Sequence, residues 1–117
     1  MYVLTEGDER YIDESTTIWR MYLDQIIFGI GSCPHETEDR IKALDKDYRT
    51  GFRDFFLNAK RKDEGLTSDV IHNDFDAAWS KSHPEFYDIE QFFDGISKEE
   101  LAGVEGLIRE AKKVFQV

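Results

Sequence analysis

The side chains best suited to chemistry in this sequence are two carboxylates and a histidine on one predicted helix. Asp69, His72 and Asp76 follow an i, i+3, i+7 spacing and therefore share one helix face. Carboxylate oxygens and an imidazole nitrogen can bind a divalent cation, but a metal centre needs ligands from other elements as well. Three more candidate ligands are close in the chain: Asp74, His83 and Glu85. Without an H-E-x-x-H motif or a Glu-x-x-His pair, a solvated face is the simpler interpretation, and we predict no metal or other cofactor.

A cysteine close to a histidine is the other candidate for catalysis. Cys33, Pro34 and His35 follow a glycine-containing turn, and a thiol activated by an imidazole is a nucleophile. Side chains this close in sequence rarely point toward each other, and a lone loop cysteine is usually inert. The sequence has no G-x-S-x-G motif, and no carboxylate pair stands out among its 25 acids. We therefore predict that the protein is not an enzyme, and the single cysteine excludes a disulfide framework.

The distribution of charge is the least generic feature of the sequence. Acidic residues number 25 and basic residues 15, which gives a net charge of −10. Residues 1–39 carry −7, residues 40–62 carry +5, and residues 63–97, here called the acidic segment, carry −8. Domains that bind nucleic acid present a basic footprint, so we do not expect direct binding to nucleic acid.

Five basic side chains form a stripe on the predicted second helix. At about 100° per residue they fall within an arc of about 60°. This basic stripe consists of Lys42, Lys46, Arg49, Arg53 and Lys60. It could bind phosphates or an acidic partner, or it could neutralise acidic segments of the same chain. Neutralisation within the chain is the favoured interpretation, because residues 1–39 and the acidic segment carry a combined charge of −15.

The acidic segment is the candidate binding surface. Carboxylates spread over helix surfaces can imitate the phosphate spacing of a nucleic acid, or match a basic groove, and would steer a basic partner. Exposed aromatic side chains among them would anchor the complex, with Tyr87 as a candidate anchor. The residues predicted to contact the partner are Asp74, Asp76, Glu85, Tyr87, Asp88, Glu90 and Asp94. The alternative is an acidic surface that only maintains solubility.

Apolar residues that recur every three or four positions predict a compact all-α bundle of about five helices. The bundle forms a single domain over residues 1–117, with a short extended segment at its N-terminus. The predicted helices span about residues 13–28, 37–62, 67–80, 84–96 and 97–115. The last has the clearest start, a Ser97–Glu100 capping box. Residues predicted to face inward include Ile18, Leu23, Ile41, Phe55, Ala59, Val70, Ala78 and Ile108.

These features predict a small acidic binding protein that inhibits or neutralises a basic, nucleic-acid-acting protein by covering its surface. Toxin-immunity proteins and phage-encoded inhibitors are the analogous classes, on composition alone. No apolar run approaches about 18 residues and the start lacks a basic region, so we expect a cytoplasmic protein without membrane contact. The alternative is a helical adaptor or self-assembling module, including a homodimer formed through the first helix. An enzyme or metal protein using the Asp69 face, and nucleic-acid binding through the basic stripe, are the remaining hypotheses.

Overall fold

The structure is a computed structural model that describes residues 1–31 and 33–115. Its α-helices are α1 (Glu6–Ile30), α2 (His35–Lys62), α3 (Ser68–Ser82), α4 (Lys98–Ala102) and α5 (Glu105–Phe115). Two 3-10 segments, Pro84–Phe86 and Ile89–Phe93, connect α3 to α4. The predicted all-α bundle of about five helices is confirmed, because the described part of the chain is 81% helical and contains no strand. The long α1 and α2 produce an elongated molecule of 53 × 23 × 22 Å.

Helix α1 begins at Glu6, seven residues before the predicted start, and the extended N-terminal segment is correspondingly short. A capping box fixes this start: the Thr5 hydroxyl accepts from the Asp8 backbone N–H, and the Asp8 carboxylate accepts from the Thr5 N–H. These bonds satisfy backbone donors that a helix N-terminus leaves unpaired. At the other end Gly31 adopts a φ of 80°, in the left-handed region that favours glycine, and its N–H bonds to Ile27.

The inward faces of the helices differ in part from the predicted sets. Ile18 is 42% exposed, and Val70 and Ala78 are also exposed, so their predicted core positions were wrong. Phe56, not Phe55, is fully buried on α2, because the buried face follows the four-residue spacing of Tyr48 and Phe52. Phe55 and Ala59 are half-buried at the edge of the core.

The segment predicted as a fourth helix forms the two 3-10 segments instead. Its buried residues Phe86, Ile89 and Phe92 are three positions apart. Phe86 ends the first 3-10 segment, whereas Ile89 and Phe92 lie in the second, where 3.0 residues per turn place them on one side. The apolar residues of this segment are therefore buried, although the predicted helix type was wrong.

The predicted last helix is divided into α4 and α5. The Ser97 hydroxyl accepts from the Glu100 N–H at 3.3 Å, which is one half of the predicted capping box. Gly103 ends α4, and Val104 turns into the core before α5 begins. Glycine has the lowest helix propensity after proline, which accounts for a break at this position.

Phe86 joins the long helices at the centre of the core. Its ring stacks on Trp19 of α1 at a centroid distance of 4.3 Å and on Tyr48 of α2 at 4.6 Å. The Trp19 indole N–H also donates to the Phe86 carbonyl at 2.9 Å. Gly51 lies in α2 where a β-carbon would be 3.4 Å from Phe75 and Trp79 of α3. It therefore marks the crossing of α2 and α3.

Candidate functional site

The most connected polar group in the structure joins three helices and the first 3-10 segment. It consists of Tyr11, Tyr48, Asp69, His72, Asp76 and Tyr87, and we call it the tyrosine–aspartate cluster. Tyr11 belongs to α1 and Tyr48 to α2, whereas the two aspartates and His72 belong to α3. Tyr87 follows the first 3-10 segment.

Asp76 is the acceptor at the centre of this cluster. Its Oδ1 accepts hydrogen bonds from the hydroxyls of Tyr48 at 2.9 Å and Tyr87 at 3.0 Å. Its Oδ2 lies 3.2 Å from His72 Nε2. A carboxylate offers about four acceptor positions, so one position on Oδ2 is left open by these three contacts.

His72 is held between two tyrosine hydroxyls. Its Nδ1 lies 3.3 Å from the Tyr11 hydroxyl, which donates to Asp69 Oδ1 at 2.9 Å. Its Nε2 lies 3.1 Å from the Tyr48 hydroxyl. Since each hydroxyl gives its proton to a carboxylate, its oxygen can accept a hydrogen bond from His72 where the facing ring nitrogen carries a proton.

The tyrosines of the cluster stay protonated well above neutral pH. Burial raises the pKa of Tyr48 far above its ordinary value, and the negative charge of Asp76 raises it further. The pKa of Tyr87 is raised for the same two reasons. Burial, followed by the hydrogen bond to Asp69, raises the pKa of Tyr11 to about 12. All three hydroxyls therefore act as neutral donors to the aspartates.

The predicted Asp69, His72 and Asp76 face is occupied by these tyrosines. Asp69 is bonded by Tyr11, and Asp76 by Tyr48 and Tyr87. Within residues 1–31 and 33–115 no three His, Cys, Asp or Glu side chains are grouped so that they could hold a metal ion.

A cavity of about 450 Å³ lies beside Asp76. Its floor consists of the buried rings of Trp19, Tyr48 and Phe86, and its rim includes the more exposed Ile18 and Val114. Two further half-buried rings line it, Tyr87 and Phe115. The Asp76 side chain is 25% exposed, so a molecule in the cavity can reach the carboxylate. Aromatic walls with a few convergent polar groups are typical of ligand sites.

The basic stripe neutralises the N-terminal acids, not the acidic segment. Arg49 contacts Asp13 at 2.6 Å, and Arg53 contacts Glu9 at 2.7 Å, so both side chains connect α2 to α1. Lys60 donates to the backbone carbonyls of Glu64 and Leu66. Part of the stripe is thus used within the fold, as the favoured interpretation expected.

The acidic segment keeps most of its charge unpaired. Of its nine carboxylates, Glu90 alone contacts a lysine or arginine side chain in the described part of the chain, Lys112 at 2.6 Å. Six of the seven arginines are engaged by carboxylates outside this segment or by backbone carbonyls: Arg20, Arg40, Arg49, Arg53, Arg61 and Arg109. The negative charge of this segment is therefore available to a partner.

The seven residues predicted to contact a partner lie in different environments. Asp74, Asp88 and Asp94 are exposed, and Glu85 is half-exposed. Glu90 is exposed but paired with Lys112. Asp76 and Tyr87 bond to each other inside the cluster, so Tyr87 is a half-buried wall of the cavity and not a freely exposed anchor.

Two other features stand apart from the cluster. Cys33 is half-buried, and burial raises the pKa of its thiol, the opposite of what an activated nucleophile needs. A shallow depression of about 690 Å³ on the outer face of α1 is bordered by Met21, Leu107 and Phe28. Phe28 is 89% exposed, which is unusual for so large an apolar side chain.

No protein-family model matches this chain, no curated protein matches it in sequence, and no solved structure matches it in fold. Across the described residues, the structure contains no helix with the length and apolar character needed to cross a bilayer.

Sequence reasoning placed Asp69, His72 and Asp76 on one face but did not find the tyrosines that bind them. A signal was present at Tyr48, which occupies a core position of α2 although its hydroxyl requires a hydrogen-bond partner. A buried tyrosine next to helix faces that carry aspartates predicts such a bond. The spacing of residues along one helix could not indicate which carboxylate accepts the hydrogen bond of the Tyr48 hydroxyl.

Proposed function

We propose that this chain is an acidic binding protein that attaches to a basic, nucleic-acid-acting protein and blocks it by covering its working surface. The observation that supports this proposal is the unpaired charge of the acidic segment. Eight of its nine carboxylates have no lysine or arginine contact within residues 1–31 and 33–115. Asp74, Asp88 and Asp94 are also exposed to solvent.

The mechanism follows from the physics of exposed carboxylates. A surface with a net charge of this sign attracts a basic protein over a distance of about 10 Å at 0.1 M salt. Proteins that process nucleic acid carry basic grooves for phosphates, and carboxylates can occupy the same grooves. Occlusion requires no catalytic group in this chain.

A capture experiment with matched charge variants tests the proposal. The tagged protein is used to isolate partners from host lysate, and the recovered protein is then assayed for nucleic-acid processing with and without the purified chain. We expect recovery of one basic protein, its release between about 0.1 and 1 M salt, and loss of its activity when the chain is added. Asp74→Asn, Asp88→Asn and Asp94→Asn together should lower affinity about 10-fold or more.

The control variant changes the net charge by the same three units at a different place. Asp39, Asp47 and Asp54 are exposed on α2, outside the acidic segment. Their combined change to Asn should leave affinity within about threefold of the wild type, because screening limits the effect of distant charges. Equal losses for the two triple variants, or capture of no basic protein, would contradict the proposal.

The exposed apolar face of α1 supports the second candidate, a self-assembling or adaptor module. Phe28 and Met21 stand on the same side of the helix and are 89% and 46% exposed. Burial of such a face in a second copy would be favourable, since apolar area contributes roughly 25 cal/mol per Å². Light scattering should then give the mass of a dimer that persists in 1 M salt, and Phe28→Asp should convert it to a monomer. A monomeric wild type at high protein concentration would exclude this candidate.

A further inference from the structure

The cavity beside Asp76 holds a carboxylate whose charge no lysine or arginine balances. In the described part of the chain, the neighbours within hydrogen-bond distance of this carboxylate are Tyr48, Tyr87 and His72. The side chains that line the cavity include neither lysine nor arginine. A partly buried carboxylate in mainly apolar surroundings interacts strongly with a cation, because such surroundings screen charge poorly.

The walls of the cavity favour an organic cation over a metal ion. Five aromatic side chains line it: Trp19, Tyr48, Phe86, Tyr87 and Phe115. Aromatic faces attract cations, and a planar guanidinium both stacks on them and donates to a carboxylate. The open position on Asp76 Oδ2 can accept one such hydrogen bond. The volume of about 450 Å³ lies within the range of roughly 300–1,000 Å³ that is usual for ligand cavities.

We infer that this cavity binds the guanidinium of an arginine side chain presented by the basic partner. The inference rests on the proposed function for the identity of the partner, but the binding chemistry can be tested on the isolated protein. The bound side chain would lie between the rings of Tyr87 and Phe115 and donate to Asp76. Ile18 and Val114, which are 42% and 52% exposed at the rim, would be covered by the alkyl part of the same side chain.

The matched probes are butylguanidinium and butylurea, which have similar shapes but differ in charge. Each is titrated into the full chain while the indole N–H signals of Trp19 and Trp79 are followed by NMR. Trp19 lines the cavity, whereas Trp79 lies behind its walls, against Tyr48 and Phe86, so its signal should shift less than that of Trp19. We expect a saturable shift of the Trp19 signal with butylguanidinium and at least a ~10-fold weaker response to butylurea.

Two variants separate the cavity carboxylate from surface charge. Asp76→Asn should weaken butylguanidinium binding by about 10-fold or more, because it removes the charge that the ligand contacts. Asp54→Asn changes the net charge equally at an exposed position of α2, outside the acidic segment and the cavity lining, and should leave binding unchanged within about twofold. If Asp76→Asn does not fold, the comparison of butylguanidinium with butylurea on the wild type decides the question.

The outcomes distinguish this inference from the proposed function. Equal shifts for the two probes, or no shift of the Trp19 signal, would overturn the cavity assignment. Capture of a basic partner whose affinity is the same for Asp76→Asn and Asp54→Asn would also overturn it and leave the proposed function intact. Saturable butylguanidinium binding without any captured partner would support the cavity and contradict the proposed function.

Discussion

Val104 packs directly on the bare Cα of Gly29, where a β-carbon would overlap Val104 Cγ1. This contact lets the loop between α4 and α5 approach α1 closely. Val104 is buried there, and its carbonyl accepts the first backbone hydrogen bond of α5 from Ile108. Gly29 therefore has a packing role in addition to its place near the end of α1.

Gly29→Ala should destabilise the protein, although alanine is the better helix former. The overlap with Val104 forces a backbone or side-chain shift that costs about 1–3 kcal/mol, more than the gain in helix propensity of about 1 kcal/mol. Gly106→Ala is the matched control, because no atom lies within 4 Å of a β-carbon at that helical position. Urea unfolding should show a lower free energy of unfolding for the first variant and an equal or higher one for the second. If Gly29→Ala and Gly106→Ala are both more stable than the wild type, the close contact between Gly29 and Val104 is contradicted.

Phe86→Ala should be among the most damaging single changes. It empties the space between Trp19 and Tyr48 and removes ring contacts on both sides, at a cost of about 3–5 kcal/mol. Phe28→Ala removes the same side chain from an 89% exposed position and should change the free energy of unfolding by less than about 0.5 kcal/mol. Thermal or urea unfolding measures both, and similar losses at the two positions would show that the ring of Phe86 is not central to the core.

The stability of the protein should fall as the pH rises above 10. Burial raises the folded-state pKa of Tyr48 and of Tyr87, so above their ordinary value of 10.0 the unfolded chain loses protons that the folded chain keeps. The free energy of unfolding gained by keeping these hydroxyls protonated is fully present below pH 10. Above pH 10 it decreases by about 1.4 kcal/mol per pH unit for each such tyrosine. Urea unfolding of the wild type and of Tyr48→Phe at pH 8, 10 and 11 measures how steeply the free energy of unfolding falls with pH. The variant should be less stable at pH 8 but lose stability less steeply, and parallel slopes would show that Tyr48 ionises freely in the folded state.

Thr5→Ala should shorten α1 from its N-terminus. It removes the hydroxyl that accepts from the Asp8 N–H, at a cost of about 0.5–2 kcal/mol. Thr50→Ala, at an exposed position inside α2, is the control and should be neutral or stabilising because alanine has the higher helix propensity. Amide hydrogen exchange should show faster exchange at residues 8–11 in the first variant alone. Unchanged protection there would mean that the capping box does not set the start of the helix.

The periodicity of apolar residues predicted the helical fold because burial requires one face of each helix to be apolar. The same rule correctly placed Leu23, Ile41 and Ile108 in the core. The start of α1 was missed because its first turns are polar, and the cap at Thr5 was overlooked. The division of the last helix depends on Val104 turning inward, which is a tertiary contact with α1 and not a local preference.

The candidate site was less predictable than the fold because its contacts cross long distances in sequence. Tyr11 and Asp69 are 58 residues apart, and Tyr48 and Asp76 are 28 apart. The sequence could place Asp69 and Asp76 on one face, but the helix packing decides which hydroxyls reach them. The same holds for charge: the basic stripe was found from spacing, whereas its pairing with Asp13 and Glu9 depends on how α1 lies along α2.

The stacking of Trp19 on Phe86 also has a consequence for synthesis on the ribosome. The two residues are 67 positions apart, and translation proceeds at about 5–20 residues per second. Roughly 3–13 s therefore separate the addition of Trp19 from the addition of Phe86. During that interval the nascent N-terminal helix carries an indole ring without its stacking partner, so this part of the core cannot close until Phe86 has been added.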